Sequence, residues 1–390
     1  MHVAVVGFGN AGGKIADAIL KFEADTGRSL CKDVLAVNSA EIDLTKPDLI
    51  PEDRRLLIGQ THEGVKGRGV GADPELGAEV ARRDIGEIDR ALDSVPVYEI
   101  DAFLVIAGLG GGTGSGGAPV VSRPLREMYA EPVYGLGVLP STDEGGRASL
   151  NAARSLQSFT DATDSLVLFD NDAWRQAGES VSRGYDRANT ELARRVTTLL
   201  GAGALDDSAV SETAMDASDI NRTLSTDGVS TVAYASADLD HRTKSGLLDQ
   251  FRTNGHDEGD TDYAQKVHGL VRRAVNARLT CPADVESAER SLVVVSGPPE
   301  ELSRKGLQHA RQWIESRTDS VEVLAGDDPR EDADQLSVAV LLSNVTDVPR
   351  VDGLQKRAVD AQERIEAKAT VRDDEVAELI TDENDRLDPL

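Results

Sequence analysis

A chain of 390 residues with 69 acidic against 42 basic side chains carries a formal charge of −27, which argues against nucleic acid or an anionic membrane surface as a general partner. Hydrophobic residues make up 39 %, too many for a disordered acidic protein, and the length accommodates two domains with cores of their own. Ten lysines against 32 arginines, with abundant Asp and Glu, point to a protein soluble in a high-salt cytosol, where screening tolerates such charge. Cys31 and Cys281 are the two cysteines and stand far apart, so no disulfide framework is expected. No apolar run approaches the roughly 20 residues that span a bilayer. The strand expected at His2–Val6 leaves no room for a leader peptide, so the expectation is a soluble, cytoplasmic protein.

Short, near-continuous apolar runs at Val3–Val6, Val34–Val37, Phe103–Ile106, Val133–Val138 and Leu166–Phe169 alternate with helical patterns. That alternation predicts a doubly wound α/β sheet of parallel strands covered on both faces. A long helix is expected from Asp186 to Leu200, with Leu192, Val196, Leu199 and Leu200 on one side and Gly201 and Gly203 ending it. A second, α+β domain follows, with strands at Thr231–Tyr234, Ser291–Ser296 and Ser337–Leu342 and a helix at Leu302–Arg317. The boundaries read as 1–185, a connecting helix and loop at 186–221, a second domain at 222–350, and a charged C-terminal segment at 351–390. In that segment a helix is expected from Leu354 to Ala369, then a disordered tail from Val371 with eight acids and two arginines.

Three glycine-rich turns carry the chemistry. Residues 107–119 read Ala-Gly-Leu-Gly-Gly-Gly-Thr-Gly-Ser-Gly-Gly-Ala-Pro directly after an apolar strand. Such a turn presents backbone N–H groups, with a helix N-terminus behind them, to phosphate oxygens. Gly7-Phe8-Gly9-Asn10-Ala11-Gly12-Gly13 follows the first strand and by itself matches a dinucleotide fingerprint. A nicotinamide or flavin oxidoreductase is therefore the rival reading. Against it, the second strand ends in Asn38-Ser39-Ala40 rather than in a ribose-binding acid. A P-loop is excluded because Gly13 stands where lysine is required, and a hydrolase elbow around Ser115 because Thr113 replaces the first glycine. The third turn, Gly67-Arg68-Gly69-Val70-Gly71-Ala72-Asp73-Pro74, reads in isolation as an ordinary turn into a helix starting at Pro74. Together the three place amide-rich turns at the carboxyl ends of neighbouring strands, where open α/β sheets bind ligands.

On these residues the chain resembles the tubulin/FtsZ superfamily of GTPases, whose signature is Gly-Gly-Gly-Thr-Gly-Ser-Gly, and especially the archaeal tubulin-like CetZ group, over about 1–345. The resemblance implies GTP or GDP as ligand. Its phosphates would be held by Gly9, Asn10, Ala11, Gly12, Gly13 and Lys14 and by Gly110, Gly111, Gly112, Thr113, Gly114, Ser115 and Gly116. Gly71, Ala72 and Asp73 would approach the γ-phosphate, and Glu144 would accept a ribose hydroxyl. Arg147 sits one residue short of the arginine offset seen in FtsZ and is left unassigned. Asn171, just past a strand, and Asn189, four residues after Tyr185, match the family's base-reading pattern. Amides both donate to and accept from a guanine edge, and Tyr185 shares a helix face with Asn189, where it would stack on the base.

Met215-Asp216-Ala217-Ser218-Asp219-Ile220-Asn221 reads as a helix N-terminus with Asp216 as N-cap. The resemblance implies that this loop enters the next subunit's nucleotide site, where Asp219, with Asp216 beside it, positions the attacking water. The loop has Ala214 where FtsZ has Asn, which bears on the rate of hydrolysis. The six histidines are scattered, so no metal-binding cluster is expected and Mg²⁺ would be carried on the phosphates. Self-assembly head-to-tail into filaments and control of cell shape are implied in the same way, and no segment identifies an adaptor. The Asp143–Gly146 run, Asn at 189 and the featureless tail favour CetZ over FtsZ. A nucleotide-binding regulator that neither hydrolyses nor polymerises is the remaining alternative.

Overall fold

In the computed structural model, residues 1–175, 178–204, 214–239 and 256–380 are described. The strands are β1 (Val3–Phe8), β2 (Cys31–Asn38), β3 (Arg55–Leu57), β4 (Ala102–Gly108), β5 (Val133–Leu139), β6 (Ser165–Asp170), β7 (Val229–Asp238), β8 (Ala288–Gly297), β9 (Glu322–Pro329) and β10 (Gln335–Val345). They form one sheet in the order β3-β2-β1-β4-β5-β6-β7-β10-β8-β9. The first seven run parallel, β10 lies antiparallel to both β7 and β8, and β9 is parallel to β8. All five parallel strands expected from the apolar runs are present as β1, β2, β4, β5 and β6.

The helices are α1 (Gly9–Thr26), α2 (Glu41–Leu44), α3 (Pro74–Arg83), α4 (Ile85–Leu92), α5 (Thr113–Met128), α6 (Gly145–Thr160), α7 (Asn171–Trp174), α8 (Val181–Leu200), α9 (Ala217–Leu224), α10 (His256–Asn276), α11 (Arg304–Glu315) and α12 (Pro349–Ile380). Side chains alternate across the strands. Val3 and Val5 join a core with Ile15 and Ile19 of α1 and Leu192 and Leu199 of α8. Ala4, Val6 and Phe8 face Val80 of α3, Val121 of α5 and Phe159 of α6 on the opposite side. Both faces of the sheet are thus covered, which is why its strands read as unbroken apolar runs.

Pairing of Leu166 with Val229 and of Val167 with Ser230 carries the sheet from the first half of the chain into the second. The α8 core is shared as well, since Val232, Leu292 and Leu341 pack in the same cluster as α1 and α8. Strand β3 is only three residues long, too short for periodicity to register. Strand β9, EVLAGDDP, is not among the expected strands, since its acids interrupt any apolar run. It is a strand because Asp328 is buried against Arg28, whose Nη1 donates at 2.8 Å, while Nη2 of the same guanidinium donates to Ser296 at 2.7 Å. Arg28→Ala is expected to cost about 2–4 kcal/mol, because it strands a buried carboxylate with Arg330 as its remaining cation. A urea-unfolding midpoint unchanged from the parent protein would contradict this.

Two element boundaries differ from expectation. Helix α8 begins at Val181, capped by the Ser180 hydroxyl, so Tyr185 and Asn189 belong to one continuous helix. The expected disorder from Val371 is corrected for residues 371–380, because α12 continues to Ile380. Acid density predicts solvation, but Glu, Ala, Leu and Arg also favour helix, and α12 is anchored upstream by packing on α6. Residues 381–390 of the expected tail lie outside the described residues.

Candidate functional site

The order of strands reverses between β1 and β4, and at their carboxyl ends a cavity of about 450 Å³ opens, the position at which doubly wound sheets bind ligands. Gly9, Asn10, Ala11 and Lys14 of α1 form one side, and Gly110, Gly111, Gly112, Thr113 and Gly114 form the floor. Gly71 and Ala72 face them, Glu144 closes the next side, and Asn171, Tyr185 and Asn189 form the far wall.

The chemistry of this wall is set by unpaired donors. The N–H groups of Gly110, Gly111 and Gly112, and those of Gly71 and Ala72, make no hydrogen bond to any described residue. Helices α1 and α5 both start at the cavity with no side-chain cap and no acid in the first turn. Unpaired amides and two uncapped helix N-termini, each carrying partial positive charge, fit an anion with several oxygens. Loop 71–72 is bent sharply: Gly71 has φ +61° and Ala72, which is not a glycine, has φ +59°. A left-handed alanine needs its neighbours to hold it there.

Not every residue of the predicted cradle reaches the cavity. Gly12 and Gly13 lie behind the wall. A Cβ on Gly12 would strike the Ile106 carbonyl, so this glycine lets α1 press against β4. Ser115 is buried and its hydroxyl donates to the Gly111 and Gly112 carbonyls. Gly116 packs against the Pro74 carbonyl, where a Cβ cannot fit. Asp73 caps α3, its carboxylate accepting from Leu76 N–H at 3.0 Å, while its own N–H donates to Val70. These five residues shape the loops whose amides face the cavity. Proline at 119 would normally leave the Ser115 carbonyl orphaned within α5, and the Ser155 hydroxyl donates to it at 2.8 Å.

Asn171 opens α7 and Asn189 lies midway along α8, and among the described residues neither side chain has a hydrogen-bond partner. Two free amides on one cavity wall are available to a ligand's polar edge. The Tyr185 hydroxyl donates to Glu144 Oε1 at 2.9 Å, and the same oxygen accepts from Ser141 N–H at 2.8 Å. Burial, then that bond and the Glu144 charge, push the phenol's pKa up, so Tyr185 stays protonated and fixes Glu144. The Ser141–Glu144 turn is further held by Asp172, which accepts from the Ser141 hydroxyl at 2.7 Å and Thr142 N–H at 3.0 Å. Arg350, at the start of α12, donates to the Pro140 carbonyl at 2.6 Å and to Asp170 at 2.7 Å.

Asp216 and Asp219 are not part of this cavity. Asp216 caps α9, accepting from Asp219 N–H at 2.8 Å. Burial, then the neighbouring Asp216 charge, raise the Asp219 pKa. A Cβ on Gly203 would touch Asp216 C at 2.9 Å and Met1 N at 2.8 Å. The acidic pair therefore stands at the amino end of β1, a strand about 20 Å long whose carboxyl end carries Gly9.

Sequence reasoning missed several residues that the structure brings in. Asn38 ends β2 and lines the cavity with Arg68, and neither residue belongs to a local pattern that marks it. Asn151 and Arg350 act from distant helices, and no local pattern marks them.

Residues 2–179 match the GTPase domain of the tubulin/FtsZ family, and residues 178–360 match the C-terminal domain of tubulin-like CetZ. The chain is 50 % identical to tubulin-like protein CetZ3 of Haloferax volcanii over 393 residues, all of both chains. A solved GDP-bound monomer of CetZ1 from the same organism superposes with a TM-score of 0.82 at 47 % identity, covering 93 % of this chain and 100 % of that one. A GTPγS-bound protofilament of Haloferax volcanii CetZ2 gives 0.81 at 40 % identity, covering 94 % and 100 %. The glycine-floored cavity at the sheet's switch point, the fold and the full-length similarity agree: the chain belongs to the tubulin/FtsZ family of GTPases, in its CetZ group of tubulin-like cytoskeletal proteins.

Proposed function

We propose that the cavity takes GTP, retains GDP after hydrolysis, and lies at a head-to-tail contact between successive subunits of a filament. The free amides of loops 71–72 and 110–112 would hold the phosphates, with Lys14 beside them. Glu144, fixed by Tyr185, would accept a ribose hydroxyl, and the free amides of Asn171 and Asn189 would read the guanine edge. Tyr185 engages Glu144 through its hydroxyl, which leaves its ring to flank the base. Mg²⁺ would be carried chiefly by phosphate oxygens, since among the described residues no cluster of three His, Cys, Asp or Glu could hold it.

One observation carries the assembly reading: the acidic pair Asp216 and Asp219 and the cavity occupy opposite ends of the same parallel strands. A translation that stacks one subunit on the next brings Asp219 to the neighbour's terminal phosphate, and a contact of this heterologous kind propagates. Asp219 would orient the attacking water, so turnover would follow assembly. Sedimentation and electron microscopy test this, with GTP or its non-hydrolysable analogue giving filaments and GDP giving few. From membership of the CetZ group we also propose a role in cell shape and a cytoplasmic location.

Nucleotide identity has a direct test. Heat denaturation of the purified protein is expected to release guanine nucleotide, and release of NAD(P) or flavin alone would overturn the reading. Asn171→Ala and Asn189→Ala are each expected to weaken GTP binding roughly 10- to 100-fold, because a lost partner strands one polar group of the base in a closed site. Adenine nucleotide binding should not fall in step.

A further inference from the structure

Asn151 lies on α6, outside the cavity wall, and is 4 % exposed. Its Nδ2 donates to the Ala72 carbonyl at 3.0 Å and to the Gly110 carbonyl at 3.1 Å, with Gly111 O at 3.5 Å. One amide therefore ties together the two loops whose free N–H groups face each other across the cavity. Asp73 N–H, the other half of the Ala72–Asp73 peptide, donates to Val70 at 3.1 Å. Both polar groups of that peptide are satisfied by protein, while the N–H groups of Gly71 and Ala72 are left for a ligand. Holding the Ala72 carbonyl also explains how an alanine keeps φ at +59°. One turn later on the same helix face, Ser155 holds the Ser115 carbonyl, so α6 fixes the glycine loop at two points.

We infer that Asn151 is a positioning residue that pre-forms the gap between loops 71–72 and 110–111, and that this gap sets the preference for nucleoside triphosphate over diphosphate. The inference rests on the nucleotide reading of the cavity. A diphosphate can be held by the glycine floor and α1 alone. A third phosphate must be met from both sides, and it gains only if the Ala72 loop already stands in place. Without Asn151 the glycine floor keeps its ties from Ser115 to the Gly111 and Gly112 carbonyls and from Ser155 to Ser115, whereas the Ala72 loop must be ordered at the moment of binding, a cost that falls on GTP far more than on GDP.

The test compares GTPγS and GDP affinities of the full chain with those of Asn151→Asp and Asn151→Ala, using fluorescent derivatives of each nucleotide. Asp keeps the size of Asn but has no donor for the two carbonyls. In both variants GTPγS affinity is expected to fall about tenfold or more, with GDP within about threefold of the parent value. A parallel fall in both affinities, an unchanged ratio, or an Asp variant that behaves like the parent would overturn the inference. Hydrogen exchange of the parent covers the case of variants that do not fold: the Asp73 amide, which donates to Val70 while the loop is formed, is expected to be protected with GDP as well as with GTPγS, and protection that appears only with GTPγS would show that the loop is not pre-formed and would overturn the inference. Failure of the parent protein to bind either nucleotide would instead refute the reading of the cavity itself.

Discussion

Gly116→Ala is expected to unfold the N-terminal half of the sheet, whereas Gly111→Ala should leave the fold intact and weaken nucleotide binding by about 10- to 100-fold. The two glycines stand five residues apart in one run, yet their surroundings differ. An added Cβ at Gly116 would overlap the Pro74 carbonyl and lie 2.7 Å from Ala78 N. Both are backbone atoms of α3 that no rotamer change can move. Separating α3 from α5 opens a core containing Val80, Ala118 and Val121, so a loss above roughly 3 kcal/mol is expected. At Gly111 the added Cβ meets no protein atom within 4 Å. The methyl group would stand among the unpaired amides at the cavity floor, in space assigned to phosphate oxygens. Thermal melts monitored by circular dichroism and GDP titrations separate the two effects. Equal melting temperatures for the two variants would show that the glycine run does not divide its work between packing and binding.

The second large effect is expected at Asp219. Asp219→Ala should bind GTP as the parent does and hydrolyse it about 10²- to 10⁴-fold more slowly, the range associated with a positioned acid or base. Because the acid and the cavity lie at opposite ends of the subunit, the defect should be rescued in trans. Mixing Asp219→Ala with Gly111→Ala, under conditions where the latter carries no nucleotide, creates contacts in which an intact cavity meets an intact acid. Hydrolysis above the sum of the separate variants is expected there, and its absence would place the acid's role within one subunit. The carboxylate must be ionised to orient water. Since burial and Asp216 raise the pKa of Asp219, acidification should slow turnover at a higher pH than for an ordinary aspartate. A rate that is flat down to the usual carboxylate range would exclude Asp219 from the step.

Much of the binding floor was legible in the chain because glycine runs have few alternative explanations. Gly110 through Gly114, Asn10 and Ala11 all line the cavity, as the three-turn pattern anticipates. Asn171, Tyr185 and Asn189 stood out through the resemblance, whose aromatic-to-amide spacing they match, and the long helix α8 brings the last two to the same wall as the first. The supporting residues were not legible. Ser115 sits within the glycine signature, yet its hydroxyl is spent on the loop's own carbonyls. Asn151 and Arg350 lie 41 and 210 residues from carbonyls that they hold, and an isolated Asn or Arg on a helix carries no local sign of such a partner. The acidic strand β9 has no apolar run to announce it, and the Arg28 that neutralises its Asp328 lies 300 residues away in the chain.

The linear order of residues by itself determined where backbone amides would lie unpaired, which runs would be strands covered on both faces, and that Tyr185 and Asn189 would share one helix face. These follow from glycine's missing Cβ, from apolar periodicity and from helix spacing, all of them local properties. Only the tertiary structure decided which glycines pack and which face the cavity, how the Ala72 loop is held in a left-handed turn, and that the acidic pair lies at the end of the sheet opposite the cavity. Those outcomes depend on contacts between segments tens to hundreds of residues apart, and chain spacing does not encode a distance across a folded sheet.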